Sequence, residues 1–272
     1  MNVKMSPWEK LLERPYAGGH FVQLYEADEA ALTANVGLYL WEGLKSGDGV
    51  LVIVTPEHRE LFRRELDRLG ADTELALRNG QMVFLDAQET LSRFMLEGQP
   101  DWRLFESTVS AAMRQLRAPS DRAGRRAYGE MVGILWKARQ FAAAIRLEQL
   151  WNKLLEQSSF SLYCAYAIDV FGKEFHVANL DDVLRTHTHL VPAQLNGNLE
   201  TALHLAMDEV LGAQADDLWV LIRTNSRPPG AVLPNAEAVL LWLRKNLPER
   251  VEEIVARARR HYSSISPVQS PL

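Results

Sequence analysis

Apolar residues in this chain fall in short unbroken runs: "HFVQLYE" (20–26), "GVLVIVTPE" (49–57), "QMVFLDA" (81–87), "AYGEMVGIL" (127–135) and "SFSLYCAYAI" (159–168). Continuous runs of this length suit parallel strands covered on both faces. Between them lie segments with helical spacing, at 28–45, 56–69, 101–117 and 137–157. The clearest is "FAAAIRLEQLWNKLLEQ" (141–157), in which Ile145, Leu147, Leu150, Trp151, Leu154 and Leu155 form one wide apolar stripe. Strand and helix alternate from about residue 18 to about residue 190. The pattern predicts a three-layer α/β domain with a mainly parallel sheet.

After "HTHLVPAQLNGN" (187–198) the pattern changes. Helices are predicted over 199–211, 235–246 and 249–262, with Pro248 in the first turn of the last. "LWVLIRTNSRPPG" (218–230) fits either a short strand or a further helical turn before the Pro-Pro-Gly break. The division expected is an N-terminal segment (1–17), an α/β domain (18–195), a helical extension (196–266) packed on that body or on a partner, and a frayed tail (267–272).

With 272 residues, 47% hydrophobic and 24% charged, the chain can bury a substantial core and is neither disordered nor fibrous. Cys164 is the only cysteine, so an intrachain disulfide is impossible and a reducing compartment is expected. The opening stretch has no apolar core of signal-peptide length, and no window approaches the ~18 apolar residues of a membrane span; a cytoplasmic, soluble protein is expected. Net charge is -5, and the basic clusters "RAGRR" (122–126) and "RARRH" (257–261) lie in no nucleic-acid-binding setting. They read as solvated turns or helix faces, with no direct nucleic-acid contact.

A parallel sheet suggests a nucleotide site first, because glycines in the turn after a strand let backbone amides approach phosphate. Here the first strand runs into "YEADEAAL" (25–32), which has no glycine and carries Glu26, Asp28 and Glu29. Phosphate binding is disfavoured. "MVFLDA" and "LVIVTPE" imitate magnesium-binding and catalytic strand ends, yet Thr55, Pro56 and Glu57 read as the cap and first turn of the next helix.

Glu130 is the exception, since it stands ahead of an apolar run. Read as one strand, 127–135 puts Tyr128, Glu130, Val132 and Ile134 on one face and Gly129, Met131, Gly133 and Leu135 on the other. The glycines leave room for a close-packed helix or a ligand. Glu130 is then either a buried acid tied to His20, Arg146 or backbone amides, or part of a cavity wall. Trp136 sits where ligand crevices of α/β sheets open. His187 and His189 would point to one side of a strand, but a metal needs further ligands and Cys164 is the only thiol, so neither metal nor cofactor is expected. No catalytic triad has local support, and a non-enzymatic protein is expected.

Taken together, "GGHFVQLYEADEAAL", "GLKSGDGVLVIVTPEH", "YGEMVGILW", "AIRLEQLWNKL", "FSLYCAYAIDVF" and "VLRTHTHLV" resemble, in order and spacing, the MEDS sensory domain of methanogen and methylotroph signalling proteins, over about residues 18–192. The resemblance implies a RecA/KaiC-like core without its phosphate-binding loop. It also implies sensing of a small molecule, such as an apolar hydrocarbon derivative, on behalf of a transcription or kinase partner. The family's characteristic positions fall on His20, Tyr25, Gly129, Glu130, Glu148, Cys164, Tyr166 and His187, as ligand contacts or pocket supports. No helix-turn-helix or kinase domain is evident, so the C-terminal helices become the candidate transmitter. The rival readings are a nucleotide-binding ATPase of RecA-like descent and a pure interaction module.

Overall fold

The five apolar runs and a sixth short strand form one parallel sheet in this computed structural model, which describes residues 5–25, 29–117, 124–176, 178–193, 195, 197–225 and 230–265. Helix α1 (Pro7–Glu13) is opened by a reciprocal cap between Ser6 and Glu9. There follow β1 (His20–Tyr25), α2 (Ala30–Ser46), β2 (Gly49–Val54), α3 (Pro56–Arg68), α4 (Thr73–Arg78), β3 (Met82–Asp86) and α5 (Ala87–Ser92). A short antiparallel pair, β4 (Met95–Leu96) and β5 (Gln99–Pro100), leads to α6 (Trp102–Gln115). Next come β6 (Arg125–Gly129), α7 (Met131–Lys137), α8 (Phe141–Gln157), β7 (Ser161–Ala167), α9 (Ala178–Thr186) and β8 (His189–Val191). The C-terminal part is helical: α10 (Asn198–Leu211), α11 (Ala215–Asn225), α12 (Asn235–Asn246) and α13 (Pro248–Ile265).

The sheet order is β3-β2-β6-β7-β1-β8. Alternation along the strands divides the core into two layers. Val50, Val52, Val54, Tyr163 and Ala165 face α2 and α3, whereas Leu51, Ile53, Leu162, Cys164 and Tyr166 face α6, α7, α8 and α9. This arrangement positions the site. Strands β2 and β6 are neighbours, yet β2 feeds α3 on the first face and β6 feeds α7 on the second. A crevice opens where adjacent strands send their chains apart at their carboxyl ends.

One boundary differs from the sequence reading, and it changes the role of Glu130. Strand β6 ends at Gly129, and residues 131–137 are a helix with Glu130 at its N-cap position. The face assignment over 130–135 therefore does not hold, and Glu130 follows its strand instead of leading a longer one. Helix α7 hides its periodicity because Met131, Val132, Gly133, Leu135 and Trp136 are all buried, and a short apolar run of this kind reads the same for a buried helix and a buried strand.

The C-terminal helices pack on the α/β body. Leu203, Met207, Val239 and Ile254 belong to the same apolar cluster as Leu162 and Leu147, and an Arg244 N–H donates to the Phe171 carbonyl at 3.0 Å. Residues 218–225 are helix, and Pro248 does open α13. Of the two basic clusters, "RARRH" is matched by acids: Arg257 and His261 pair with Glu209, and Arg259 pairs with Asp169. In "RAGRR" Arg122 and Ala123 lie outside the described residues, and Arg126 departs from the solvated reading. Its guanidinium is buried, bound to Asp48 at 2.7 Å and to the carbonyls of Leu12, Glu13 and Tyr39.

Candidate functional site

At the crevice between β2 and β6, a short loop brings Glu130 beneath the start of α3. One Glu130 carboxylate oxygen accepts the Thr55 amide, the first N–H of the turn that opens α3. The other is 2.6 Å from Nδ1 of His58, one turn further on, and accepts from the Tyr128 hydroxyl at 3.3 Å. His58 continues the chain through Nε2 to the Glu29 carboxylate at 3.0 Å. Burial alone would lower the His58 pKa, but hydrogen bonds and charge from Glu130 and then Glu29 reverse that and hold it at about 9. His58 is therefore an imidazolium between two carboxylates at neutral pH.

This chain forms one wall of a cavity of about 220 Å³, completed by Tyr25, Glu57, Ile134 and Lys137. Burial, and after it the Glu130 and Glu29 charges, raise the Tyr25 pKa and keep its hydroxyl protonated. Gly133 sets the depth of the crevice: a Cβ there would lie 2.8 Å from the Ala165 carbonyl oxygen, so the missing side chain lets α7 rest against the end of β7. The walls offer fixed donors and acceptors to a small polar molecule.

A second cluster lies on the opposite face of the sheet, under α8. His20 from the start of β1, Cys164 from β7, His187 from the link before β8 and Glu148 from α8 are all buried. Nε2 of His20 is 3.2 Å from Glu148 Oε2 and 3.5 Å from Cys164 Sγ, which is in turn 3.7 Å from Glu148 Oε2. Nε2 of His187 is 3.3 Å from Glu148 Oε1, which accepts the Tyr166 hydroxyl at 2.6 Å. Burial would raise the Glu148 pKa, but His187 and then His20 bring it well below the usual carboxylate range. Burial and the Glu148 charge push the Cys164 and Tyr166 pKa values up.

The nine residues singled out from the sequence thus divide. Tyr25 and Glu130 line the crevice, and His20, Glu148, Cys164, Tyr166 and His187 form the buried cluster. Gly129 and Trp136 belong to neither. Gly129 faces the Trp151 ring, and Trp136 packs edge-on against Phe141 and Tyr166 in the core. The partners foreseen for Glu130 also change: His20 sits in the other cluster, Arg146 is exposed, and of the options named only a backbone amide is used. His187 and His189 do not share a side. His187 precedes β8, whereas His189 packs among Trp8, Tyr16 and Phe21. Thr55 opens α3 without a side-chain cap bond, and Asp86 caps α5 through the Glu89 amide. Glu26 and Asp28 lie outside the described residues.

His58 is the crevice residue that the sequence does not single out. It sits on a polar helix, and nothing local distinguishes it from a solvated histidine. Asn152, which binds His20, lies beside the apolar stripe of α8, where nothing local distinguishes it from a solvated asparagine.

A family model described as MEDS, MEthanogen/methylotroph, DcmR Sensory domain, matches residues 19–188, more than half of the chain and enough to contain both clusters. No curated protein matches the chain. No described helix is long and apolar enough to cross a membrane.

Proposed function

The chain belongs to the MEDS family of sensory domains, and on that premise we propose that it binds a small molecule in the β2–β6 crevice and relays occupancy to a signalling partner through its C-terminal helices, without catalysing a reaction. The observation that carries this reading is the Glu29–His58–Glu130 chain, buried at His58 and Glu130, facing a cavity at the carboxyl ends of parallel strands. The resemblance implies an apolar, hydrocarbon-derived ligand. The polar walls favour one that also carries hydrogen-bonding groups.

Glu130 couples the cavity to the frame, because it ties the first turn of α3 to the first residue of α7. A ligand that competes for the His58 or Glu130 hydrogen bonds would shift α3 against α7, and α7 packs on β7 and α8, the face that carries the C-terminal helices. A useful switch requires that ligand affinity differ between the two arrangements by a few kcal/mol.

Native mass spectrometry of the freshly purified full chain tests the reading. A bound small molecule in the wild type, lost in Glu130→Gln with far-UV circular dichroism unchanged, is the expected result. Loss of the fold in that variant would make Glu130 a structural residue instead. The position of the cavity at the carboxyl ends of a parallel sheet also favours, as a second reading, a nucleotide ligand. Saturable micromolar binding of ATP with magnesium would establish it; Glu29, Glu57 and Glu130 oppose it by placing carboxylates where phosphate would lie.

A further inference from the structure

We propose that His20, Glu148, Cys164 and His187 form a tetrahedral site for a zinc-type divalent cation, independent of the crevice. One donor atom from each of the four lies within 4.8 Å of the others. A metal about 2.0–2.3 Å from four tetrahedral donors spaces them roughly 3.3–3.8 Å apart. The separations of 3.2, 3.5 and 3.7 Å among His20 Nε2, Cys164 Sγ and Glu148 Oε2 are close to those edges, and His187 Nε2 lies 3.3 Å from the other Glu148 oxygen, Oε1.

The outer hydrogen bonds fix which nitrogens face the centre. Asn152 donates its Nδ2 to the Thr186 carbonyl at 2.8 Å, so its Oδ1 is the atom 2.8 Å from His20 Nδ1, and that nitrogen must carry hydrogen. His187 Nδ1 is 2.6 Å from the Val183 carbonyl, which can only accept. Both imidazoles are therefore anchored by Nδ1–H and present Nε2 inward, the arrangement in which histidines bind metals. Nε2 of His187 is buried and has no hydrogen-bond partner. A proton there would face Glu148 Oε1 at 3.3 Å but out of hydrogen-bonding alignment, whereas a cation at the centre would use the lone pair.

Charge supports the same assignment. A carboxylate, a thiolate and a divalent ion sum to zero, which suits a buried location. Nitrogen and sulfur donors select zinc over magnesium or calcium. Binding would release the thiol proton of Cys164 to solvent and join four segments, including the link at Thr188 whose carbonyl receives the Val232 amide from the C-terminal part.

Cobalt(II) titration of chelator-stripped full-length protein, confirmed as folded by circular dichroism, tests the proposal. One equivalent should produce the intense visible bands of tetrahedral cobalt and a thiolate-to-cobalt band in the near ultraviolet, and zinc should abolish both. Cys164→Ser should remove the near-ultraviolet band. Asn152→Leu should retain it but weaken cobalt affinity about 10- to 100-fold. The wild-type titration decides even where a variant fails to fold. No spectral change, or only the weak absorption of octahedral cobalt at an exposed group such as His204, Asp208 and Asp216, would overturn the proposal.

Discussion

Glu130 and His58, 72 residues apart in the chain, meet at 2.6 Å across the crevice between two strands that run to opposite faces of the sheet. The pair has a pH signature. The folded-state pKa of His58 is about 9 against an ordinary 6.5, so its contribution to stability is fully present below pH 6.5 and is lost as pH rises through 9. At one pKa unit per 1.36 kcal/mol the contribution is at most about 3 kcal/mol. Urea unfolding between pH 6.5 and 9.5 should show this decline, and His58→Gln should flatten it; an unchanged slope in the variant would remove His58 from the account.

Glu237 predicts a decline in a different window. Its side chain is buried in the first turn of α12 with Oε2 unpartnered, and burial raises its pKa to about 7 from 4.5. The folded state then holds a proton that the unfolded state releases, so stability falls as pH rises from 4.5 through 7. Glu237→Gln should be nearly neutral at pH 4.5 and stabilise by up to about 3 kcal/mol at pH 8. Equal unfolding midpoints for variant and wild type at pH 8 would refute it.

Arg126 is the clamp for the N-terminal segment, since α1 touches it through the carbonyls of Leu12 and Glu13. Replacing it by Met leaves Asp48 and three carbonyls without their donor, a change expected to cost about 3–5 kcal/mol. Part of that loss should return in the double variant with Asp48→Asn, and α1 should become accessible to limited proteolysis in the single variant. Full resistance to protease would show that α1 is held by its apolar contacts instead.

The frame was legible wherever burial on both faces left an unbroken apolar run, as in β1, β2 and β7, and also in the half-buried edge strand β3. It was illegible at the β6–α7 junction, where strand and helix are both buried and the apolar pattern on either side of Glu130 does not distinguish the two. The sites divide on similar grounds. Glu130 stands out locally as an acid beside an apolar run and Tyr25 through the family resemblance, but His58 lies in "PEHRELFRR", where only the strand order makes it Glu130's neighbour. The buried cluster joins four elements distant in the chain. Its members could be named one by one through the family resemblance, but their grouping needed the register of β1 on β7, which places Val22 beside Cys164, and the crossing of α8 beneath both.

Two glycines that looked equivalent in the sequence should behave oppositely. A methyl group at Gly129 would meet only the Trp151 ring at 3.7 Å, an ordinary contact, and a strand glycine replaced by alanine gains about 0.5–1 kcal/mol from backbone entropy. At Gly133 the same methyl would lie 2.8 Å from the Ala165 carbonyl oxygen, a backbone atom that cannot swing aside. Alanine favours the helix there by about 1 kcal/mol, but overpacking against a fixed group costs about 1–3 kcal/mol and pushes α7 off the end of β7. Gly129→Ala is therefore expected to leave the melting temperature level or raised, and Gly133→Ala to lower it and to weaken any ligand held in the crevice, since Gly133 and Ile134 line that wall. Thermal melts of the two variants measured side by side check the contrast, and a Gly133→Ala protein as stable as the wild type would mean that α7 does not need its close approach to the sheet.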